Sequence, residues 1–328
     1  MKNHTTEELG LGLIGVGRHG SRYAQHIQRD LPEVTLAALC RRKVDERQPW
    51  SGIPLYRDYR DMIADPSVGA IVVVTPPSLC RDICLEAVRA RKPILIEKPL
   101  AMTGADARTM VDAASKAGVM LMTAQTMRFD PTILLLKQEL QKIGALRSAT
   151  FTSHIETKPN LLTGTQHPVA VGALLELGIH LLDLVRFLTE DEIEGVQCTM
   201  VPPSKITPER EVSVSLRMTK GITCRLDIAR VDSERVGCTD WIGSEGTVSA
   251  DWTKRTVGRR RHHGESKITT VEPSPTVLAT LQSFVHAIRT GTTPPITGVD
   301  GCRAVEAADA CYQSAQEGGR WVSLAASG

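Results

Sequence analysis

Three closely spaced glycines near the start of the chain constrain its fold more than any other feature. The segment GVGRHG has the spacing G-x-G-x-x-G; it follows an apolar run that begins at Leu9 and opens a helical pattern over Arg18–Arg29. In such a loop Gly15 permits a tight turn, Gly17 lets the backbone approach a pyrophosphate, and Gly20 lets the helix pack closely on the strand. The helix N-terminus adds free N–H groups and a positive dipole end that favour phosphates. The pattern therefore predicts a dinucleotide site whose residues are Gly15, Gly17, Arg18, His19 and Gly20.

The first third of the chain continues this alternation of strands and helices. The predicted strands are Leu9–Val16, Val34–Cys40, Val68–Val74, Pro93–Ile96 and Val119–Thr123, and the predicted helices are Arg18–Arg29, Asp58–Ala64, Leu79–Arg89 and Ala105–Ala117. Strands that are apolar throughout indicate a parallel sheet buried on both faces. The predicted fold class is therefore α/β, with a doubly wound Rossmann domain over residues 1–125.

The second part of the chain, residues 126–328, has a different pattern. The predicted helices are Pro131–Gln141, Val171–Leu188, Val277–Arg289 and Gly301–Ala315, and the predicted strands are Arg147–Ile155, Ile193–Val201, Glu211–Thr219, Ile222–Val231, Cys238–Ile242 and Thr247–Trp252. Strands this closely spaced favour an antiparallel or mixed sheet, and Lys220-Gly221 is typical of a hairpin turn between two of them. We expect an α+β domain here, whose last helices can pack back on the first domain.

The composition argues against several classes of protein. The 39 basic and 37 acidic side chains of the 328 residues nearly cancel, unlike the strongly basic surface of a protein held mainly by nucleic-acid phosphates. Aromatic residues make up only 4%, too few for a protein that stacks bases. The apolar run Ala70–Thr75 is far shorter than the ~18 residues of a membrane span, and the N-terminal segment has no signal-peptide hydrophobic region. Eight cysteines without a C-x-x-C pair favour free thiols in the cytoplasm and no metal site.

The end of the second predicted strand indicates which dinucleotide binds. NAD sites usually place an Asp or Glu there to hold the ribose 2′-hydroxyl. This chain has Cys40-Arg41-Arg42-Lys43 and no carboxylate before Asp45. A guanidinium suits a 2′-phosphate because it donates charge-assisted, forked hydrogen bonds. We expect Arg41 and Arg42 to bind the cofactor and NADP(H) to be preferred, with NAD(H) as a possible second cofactor. The alternative is a solvated basic loop.

Further motifs follow in order along nearly the whole chain. They are Thr75-Pro76-Pro77, Ile96-Glu97-Lys98-Pro99-Leu100, Met127-Arg128-Phe129-Asp130-Pro131, Glu176-Leu177-Gly178-Ile179-His180-Leu181-Leu182-Asp183 and Gly243-Ser244-Glu245-Gly246-Thr247. Together with the glycine loop they resemble the glucose–fructose oxidoreductase / inositol dehydrogenase / rhizopine-catabolism (Gfo/Idh/MocA) family. The resemblance implies a Rossmann domain, and a second domain on a large open, mostly antiparallel sheet for substrate binding and oligomerisation. It also implies a pyridine-nucleotide oxidoreductase of sugars, cyclic polyols or related carbonyl compounds that forms a homodimer or homotetramer.

The resemblance implies that Lys98 and His180 are the catalytic pair, and the physical character of both positions agrees. Lys98 follows a strand end, where ligands sit in open α/β sheets, and an ammonium there can favour the deprotonated form of a substrate oxygen. On a helix, His180 shares a face with Glu176 and Asp183, so it can be held in one tautomer and exchange a proton near neutral pH. The other predicted contacts are Glu176, Asp183 and Arg128 with the substrate, and Thr75, Pro76, Glu97 and Lys98 with the cofactor.

Two positions depart from the family pattern. Glu176 stands where an Asp is common, and Thr126 where an Asn is common, which suggests a substrate pocket unlike that of inositol dehydrogenases. The further candidates to line this pocket are His154, Lys158, Asn160 and His167. Two other functions stay open. One is a nucleotide- and ligand-sensing regulatory protein without chemistry. The other is an enzyme for a biliverdin- or imine-type acceptor, which the scarcity of aromatic residues disfavours.

Two surface features are also predicted. The basic run Arg259-Arg260-Arg261-His262-His263 is expected to form a solvated turn, because a patch this short does not bind nucleic acid. The alternating strand Glu211–Thr219 is expected to belong to a sheet with an exposed apolar face, which a partner subunit would cover. The expected partners are therefore a small-molecule substrate and further copies of this chain, with no nucleic acid and no membrane.

Overall fold

The computed structural model describes residues 9–42, 50–156, 171–202, 208–231, 233–262, 264 and 266–324. The chain forms two compact units. The first contains the chain as far as Thr126 together with Pro275–Cys302, and the second contains Met127–Ser274 and the chain from Arg303 onward. None of the helices in the described ranges has the length and hydropathy needed to span a membrane.

A six-stranded parallel sheet forms the centre of the first unit. Its strands are β1 (Leu9–Ile14), β2 (Val34–Cys40), β3 (Leu55–Tyr56), β4 (Ala70–Val73), β5 (Ile94–Glu97) and β6 (Leu121–Ala124), in the spatial order β3-β2-β1-β4-β5-β6. β1 pairs with β2 on one side and with β4 on the other, so the strand order reverses at β1. All residues of β4 and β5 are buried, which confirms the predicted doubly wound sheet. Ligands of such sheets bind at the carboxyl ends of the strands beside the reversal.

The helix ends follow local chemistry. The helices of the described residues are α1 (Gly20–Arg29), α2 (Tyr59–Ala64), α3 (Cys80–Arg89), α4 (Gly104–Ala117), α5 (Pro131–Leu140), α6 (Ile179–Thr189), α7 (Thr276–Thr290) and α8 (Gly298–Gln316). The Thr103 hydroxyl accepts a backbone N–H at the start of α4, and Gly118 ends this helix with a φ of 62° that favours glycine. Asp130 caps α5 in the same way, and Pro131 fills the first helical position. Helix α7 belongs to the first unit and packs against α1 and β6.

A nine-stranded mixed sheet forms the centre of the second unit. Its strands are β7 (Leu146–Glu156), β8 (Ile193–Val201), β9 (Glu211–Met218), β10 (Thr223–Val231), β11 (Val236–Gly243), β12 (Gly246–Asp251), β13 (Thr256–Arg261), β14 (Ser266–Thr270) and β15 (Val322–Ser323), in the spatial order β14-β13-β12-β11-β7-β10-β9-β8-β15. β7 and β10 are parallel, and the other neighbouring strands are antiparallel. This confirms the predicted mostly antiparallel sheet. Gly221, with a φ of 88°, makes the predicted turn between β9 and β10.

The expected apolar outer face is wrong for β9. Val212, Val214 and Leu216 are all buried, whereas the exposed side chains of this strand are those of Glu211, Ser215 and Arg217. The alternation therefore places every apolar side chain on the core face, as in a sheet with one solvated face. The exposed face of β9 is polar, so it gives no physical reason for a partner subunit.

The expected turn at the basic run is also wrong. Residues 259–261 lie in β13, which pairs with both β12 and β14. Arg259 is half-buried, and its Nε donates a hydrogen bond to Glu139 Oε2 at 2.6 Å. One of the three arginines thus belongs to an ion pair with α5, while Arg260 and Arg261 are exposed. His263 lies outside the described residues.

Candidate functional site

The glycine loop joins β1 to α1 at the carboxyl edge of the first sheet. Gly15 has a φ of 94°, and a Cβ atom there would collide with the Val74 carbonyl oxygen. A Cβ atom at Gly20 would collide with the carbonyl oxygen of Gly15. Backbone geometry and close packing therefore require glycine at both positions. A Cβ atom at Gly17 would meet nothing within 4 Å, so the open space beside Gly17 fits the pyrophosphate of a dinucleotide.

Arg41 and Arg42 follow β2 at the same edge of the sheet. Cys40, the last residue of β2, accepts a hydrogen bond from the Gly15 N–H at 3.0 Å. This contact brings the strand end against the glycine loop. Arg41 is half-buried and Arg42 is exposed, whereas Lys43 lies outside the described residues. The structure thus places the two predicted arginines next to the loop that would hold the phosphates of the cofactor.

Thr75 and Pro76 follow β4, the other neighbour of β1. The Val74 N–H donates a hydrogen bond to the Ile14 carbonyl at 2.8 Å, which holds the two strand ends together. Thr75 Cγ2 lies 3.1 Å from the position that a Cβ atom of Gly15 would take. The segments after β1, β2 and β4 therefore lie side by side where the strand order reverses. All of them were predicted to bind the cofactor.

Glu97 ends β5, and donors surround its buried carboxylate. Oε1 accepts hydrogen bonds from His19 Nε2 and Tyr23 Oη, each at 2.6 Å, and Oε2 accepts the Lys98 N–H at 3.0 Å. Lys98 is half-buried and is joined to Pro99 by a cis peptide bond. Because His19 belongs to the glycine loop, this carboxylate connects that loop with Lys98. Tyr23 was not predicted; its i,i+4 spacing from His19 on the helical pattern is the signal that could have indicated it.

Burial and hydrogen bonding fix the ionisation of this cluster. Burial raises the pKa of Glu97, but the hydrogen bonds from His19 and Tyr23 and the charge of Lys98 outweigh it, so this pKa lies below its usual value. The pKa of Tyr23 lies well above its usual value because the phenol is buried and faces that carboxylate. At neutral pH the cluster therefore contains an ionised Glu97 and a neutral Tyr23.

The predicted helix Val171–Leu188 contains a π-helical turn, Leu174–Gly178, directly before α6. Turns of this kind are frequent at functional sites. Glu176 lies in the π turn, and the half-buried His180 lies in the first turn of α6. The Glu176 carboxylate accepts a hydrogen bond from Arg230 of β10. Arg230 was not predicted, because it is 54 residues away along the chain and belongs to no motif.

Asp183 and Arg128, both predicted to contact the substrate, lie together in the second unit. Asp183 follows His180 by three residues on α6 and is 1% exposed, and Arg128 is 8% exposed. Two hydrogen bonds join the guanidinium to the carboxylate, from Nε to Oδ2 at 2.8 Å and from Nη2 to Oδ1 at 2.6 Å. Glu176 and Asp183 are thus each held by an arginine. This geometry favours support of the helix by Asp183 and Arg128, and their contact with substrate stays a prediction.

A second buried carboxylate, that of Glu209, holds the start of this helical segment, and no sequence motif marks it. Its Oε1 accepts hydrogen bonds from the Leu174 N–H at 2.8 Å and from Tyr312 Oη at 3.0 Å. A Cβ atom at Gly172 would collide with Oε2 of the same carboxylate. Burial raises the pKa of Glu209, and burial beside this carboxylate also raises the pKa of Tyr312. Glu209 therefore positions the backbone just before the residues predicted to contact substrate.

The structure describes one of the four further candidates for the pocket lining. His154 lies on β7, and its Nε2 is 3.1 Å from Oδ2 of the exposed Asp227 on β10. This pair of side chains lies on the polar face of the sheet. Lys158, Asn160 and His167 lie outside the described residues.

Two family models match consecutive parts of this chain. A model of an oxidoreductase family with an NAD-binding Rossmann fold matches residues 9–125, and a model of the GFO/IDH/MocA C-terminal domain matches residues 137–249. The alignment with the 1,5-anhydro-D-fructose reductase of Ensifer adhaerens is 269 positions long, has 30% identity, and covers 79% of this chain and 80% of that enzyme. The alignment with the myo-inositol 2-dehydrogenase of Thermotoga maritima is 330 positions long, has 25% identity, and covers 94% of this chain and 97% of that enzyme.

Solved structures agree with the fold. The aldose-aldose oxidoreductase of Caulobacter crescentus, crystallised with glycerol, superposes with a TM-score of 0.83 at 25% identity. The superposition covers 97% of this chain and 100% of that chain. It therefore includes both the parallel sheet of the first unit and the mixed sheet of the second.

Proposed function

The chain belongs to the Gfo/Idh/MocA family of oxidoreductases, and from that premise we propose its reaction. Hydride passes between C4 of the nicotinamide of NADP(H) and a carbonyl or carbinol carbon of a sugar, cyclic polyol or related small molecule. The observation that carries the proposal is the set of contacts at Glu97. This carboxylate binds His19 of the glycine loop and the N–H of Lys98, so Lys98 lies beside the loop that would hold the cofactor.

Lys98 and His180 supply the two polar functions that such a reaction needs. The bound nicotinamide supplies the hydride for reduction and accepts it in oxidation. During reduction the Lys98 ammonium stabilises the negative charge that develops on the substrate oxygen as its carbon receives the hydride. His180 then gives a proton to that oxygen, which completes the alcohol. In oxidation His180 takes the hydroxyl proton.

The preference for NADP(H) rests on Arg41 and Arg42. Both follow β2 next to the glycine loop, at the strand end where a carboxylate would hold the 2′-hydroxyl of NAD. A guanidinium there instead attracts the additional phosphate of NADP(H), and it can do so through two parallel hydrogen bonds. The binding of NADP(H) is thus favoured by charge as well as by geometry.

The relatives support a hydroxylated substrate. Their names refer to an inositol, an anhydrofructose and an aldose, which are all small molecules with several hydroxyl groups. The second unit offers the charged groups of the Glu176–Arg230 ion pair, in which Glu176 precedes His180 by four residues, and such groups suit hydroxyl recognition. On the resemblance alone, we also propose a homodimer or homotetramer.

A cofactor-coupled assay tests this function. The full chain is incubated with NADPH or NADH and a panel of sugar aldehydes and ketoses, and separately with the oxidised cofactors and cyclic polyols, while the absorbance of the reduced nicotinamide is followed. We expect turnover of at least one hydroxylated compound. Binding of NADPH, seen by fluorescence, without turnover of any compound would favour the sensing protein. Imine and bilin acceptors are added to the panel with the reduced cofactors, and turnover of these compounds alone would favour the enzyme for a biliverdin- or imine-type acceptor.

A further inference from the structure

Glu97 differs from the other residues predicted to bind the cofactor, because both of its carboxylate oxygens are occupied by donors from the protein. Oε1 binds His19 and Tyr23, and Oε2 binds the Lys98 N–H. The residue is 8% exposed. A carboxylate in this position has little capacity left for a ligand.

We propose that Glu97 is a positioning residue, which ties the backbone of Lys98 to the glycine loop through His19 and to α1 through Tyr23. The proposal rests on the catalytic role of Lys98 given above. The sequence predicts that Glu97 contacts the cofactor. In this proposal Glu97 instead affects the reaction by positioning Lys98.

The hydrogen bonds of Glu97 explain how the Lys98 backbone is held in place. His19 lies in the glycine loop directly before α1, and Tyr23 lies on the first turn of α1. Their rings pack edge to face, with centroids 5.5 Å apart. A movement of Lys98 away from the loop would break a charge-assisted hydrogen bond in a buried place, which is costly. The carboxylate therefore fixes the distance between the loop and the Lys98 backbone.

The charge of the Glu97 carboxylate also influences the protonation of Lys98. The titratable groups that interact with Glu97 among the described residues are His19 from the glycine loop, Tyr23 from α1, Cys80 from α3 and Lys98. Tyr23 and Cys80 stay neutral under assay conditions, because burial raises the pKa of both, that of Cys80 to about 12. The Glu97 carboxylate and the Lys98 ammonium favour each other's charged form. Removal of the carboxylate charge should therefore let Lys98 lose its proton at a lower pH.

The test compares Glu97→Gln with the wild type in the full chain. The glutamine side chain has the same shape, and its oxygen can still accept hydrogen bonds from His19 and Tyr23. Its NH2 group cannot accept the hydrogen bond that the Lys98 N–H donates in the wild type. We expect kcat to fall between about 10-fold and about 100-fold, as for a small misplacement of a reacting group. The Kd of NADPH should stay within about 3-fold, and the basic limb of the pH profile of kcat should move to lower pH.

Two further variants separate positioning from general stability. Tyr23→Phe removes one donor and keeps the buried ring, so kcat should fall less than in Glu97→Gln. Glu97→Asp keeps the charge with a shorter reach, so the basic limb should stay near its wild-type pH even where kcat falls. The control is Glu86→Gln, which removes a carboxylate of α3 that pairs with the exposed Arg89. This variant should change neither kcat nor the pH of the basic limb.

The outcomes distinguish this proposal from the proposed function. An unchanged kcat and an unmoved basic limb in Glu97→Gln, with Lys98→Met inactive, would overturn the positioning role and leave the function standing. Normal turnover in Lys98→Met would overturn the catalytic role of Lys98 on which this proposal rests, whereas the absence of turnover by the wild type with every compound of the panel would overturn the proposed function. Loss of NADPH binding in Glu97→Gln, with the chain still folded by circular dichroism, would show that Glu97 binds the cofactor and would also overturn the proposal.

Discussion

Arg128 and Asp183 form a forked ion pair between the segment after β6 and helix α6, although 55 residues separate them along the chain. Both side chains are buried, so both charges are removed from solvent. The Arg128 guanidinium also lies over the Phe187 ring, 5.2 Å from its centroid. Because His180 lies on α6, the pair holds the backbone of the residue proposed to transfer the proton.

Asp183→Asn should destabilise the protein strongly. The substitution leaves the buried Arg128 without its counter-charge, which costs about 3–5 kcal/mol for a buried pair. Urea unfolding measures the decrease in the free energy of unfolding. The matched control is Asp82→Asn, at a carboxylate that is 65% exposed. A loss below about 1 kcal/mol together with a raised KM would instead indicate that Asp183 contacts the substrate, as the sequence predicts.

Replacing both members of the same pair should be less damaging than replacing one. In the double variant Arg128→Met and Asp183→Leu no buried charge remains, and such exchanges are often neutral for stability. We therefore expect the double variant to be more stable than Asp183→Asn in the same urea experiment. Equal or greater destabilisation would show that the shape of the fork, rather than its charge balance, holds α6.

Arg41→Asp should change the choice of cofactor. The carboxylate would repel a 2′-phosphate and could accept a hydrogen bond from a 2′-hydroxyl, so the ratio of kcat/KM for NADPH over NADH should fall at least about 10-fold. The steady-state rates with both cofactors measure this ratio. Arg89→Asp, at an arginine whose side chain is 70% exposed in the same unit, controls for the change of net charge. An unchanged ratio in Arg41→Asp would mean that the basic segment is only solvated.

Glu209→Gln should stabilise the protein at neutral pH more than at acid pH. Burial raises the pKa of Glu209 above its usual value, so the folded state disfavours the ionised form. The resulting destabilisation is fully present above the raised pKa and disappears as the pH falls through it toward the value in the unfolded chain. Thermal unfolding of both proteins at neutral pH and at about pH 4 measures the difference. A difference that grows toward acid pH would contradict this assignment.

The cysteines should be almost unreactive in the native protein. None of the eight belongs to a disulfide, and burial raises the pKa of Cys80, Cys84 and Cys224 to about 12. Only Cys238 is partly exposed, and burial raises its pKa as well. Since the thiolate is the reactive form, we expect slow labelling by a maleimide that is confined to Cys238 and is lost in Cys238→Ser. Rapid labelling of two or more thiols in the folded chain would contradict the burial.

The parts of the fold that could be predicted from the sequence are those whose signal is local. The strands Val34–Cys40 and Ile193–Val201 have the predicted bounds, because unbroken or alternating apolar residues mark them directly. The glycine loop could be predicted because its three glycines lie within six residues, and backbone contacts account for two of them, Gly15 and Gly20. β13 could not, since its three consecutive arginines have neither an apolar run nor a clear alternation.

The parts that could not be predicted depend on distant partners. The π turn Leu174–Gly178 has the composition of an ordinary helix, and it begins where Glu209, 35 residues later, accepts the Leu174 N–H. The arginine partners of Glu176 and Asp183 come from other elements of the second unit. One sequence shows which residues can pair, but the pairing itself follows from the sheet and helix packing.

The turnover of Lys98→Met and His180→Ala tests the central claim most directly. With the best substrate from the panel, kcat should fall at least about 100-fold in each variant, the scale of general acid and electrostatic catalysis. The Kd of NADPH, measured by fluorescence, should stay close to that of the wild type. The exposed residues Lys116 and His286 provide the matched controls Lys116→Met and His286→Ala, which should keep wild-type rates. Wild-type turnover in either Lys98→Met or His180→Ala would contradict the account.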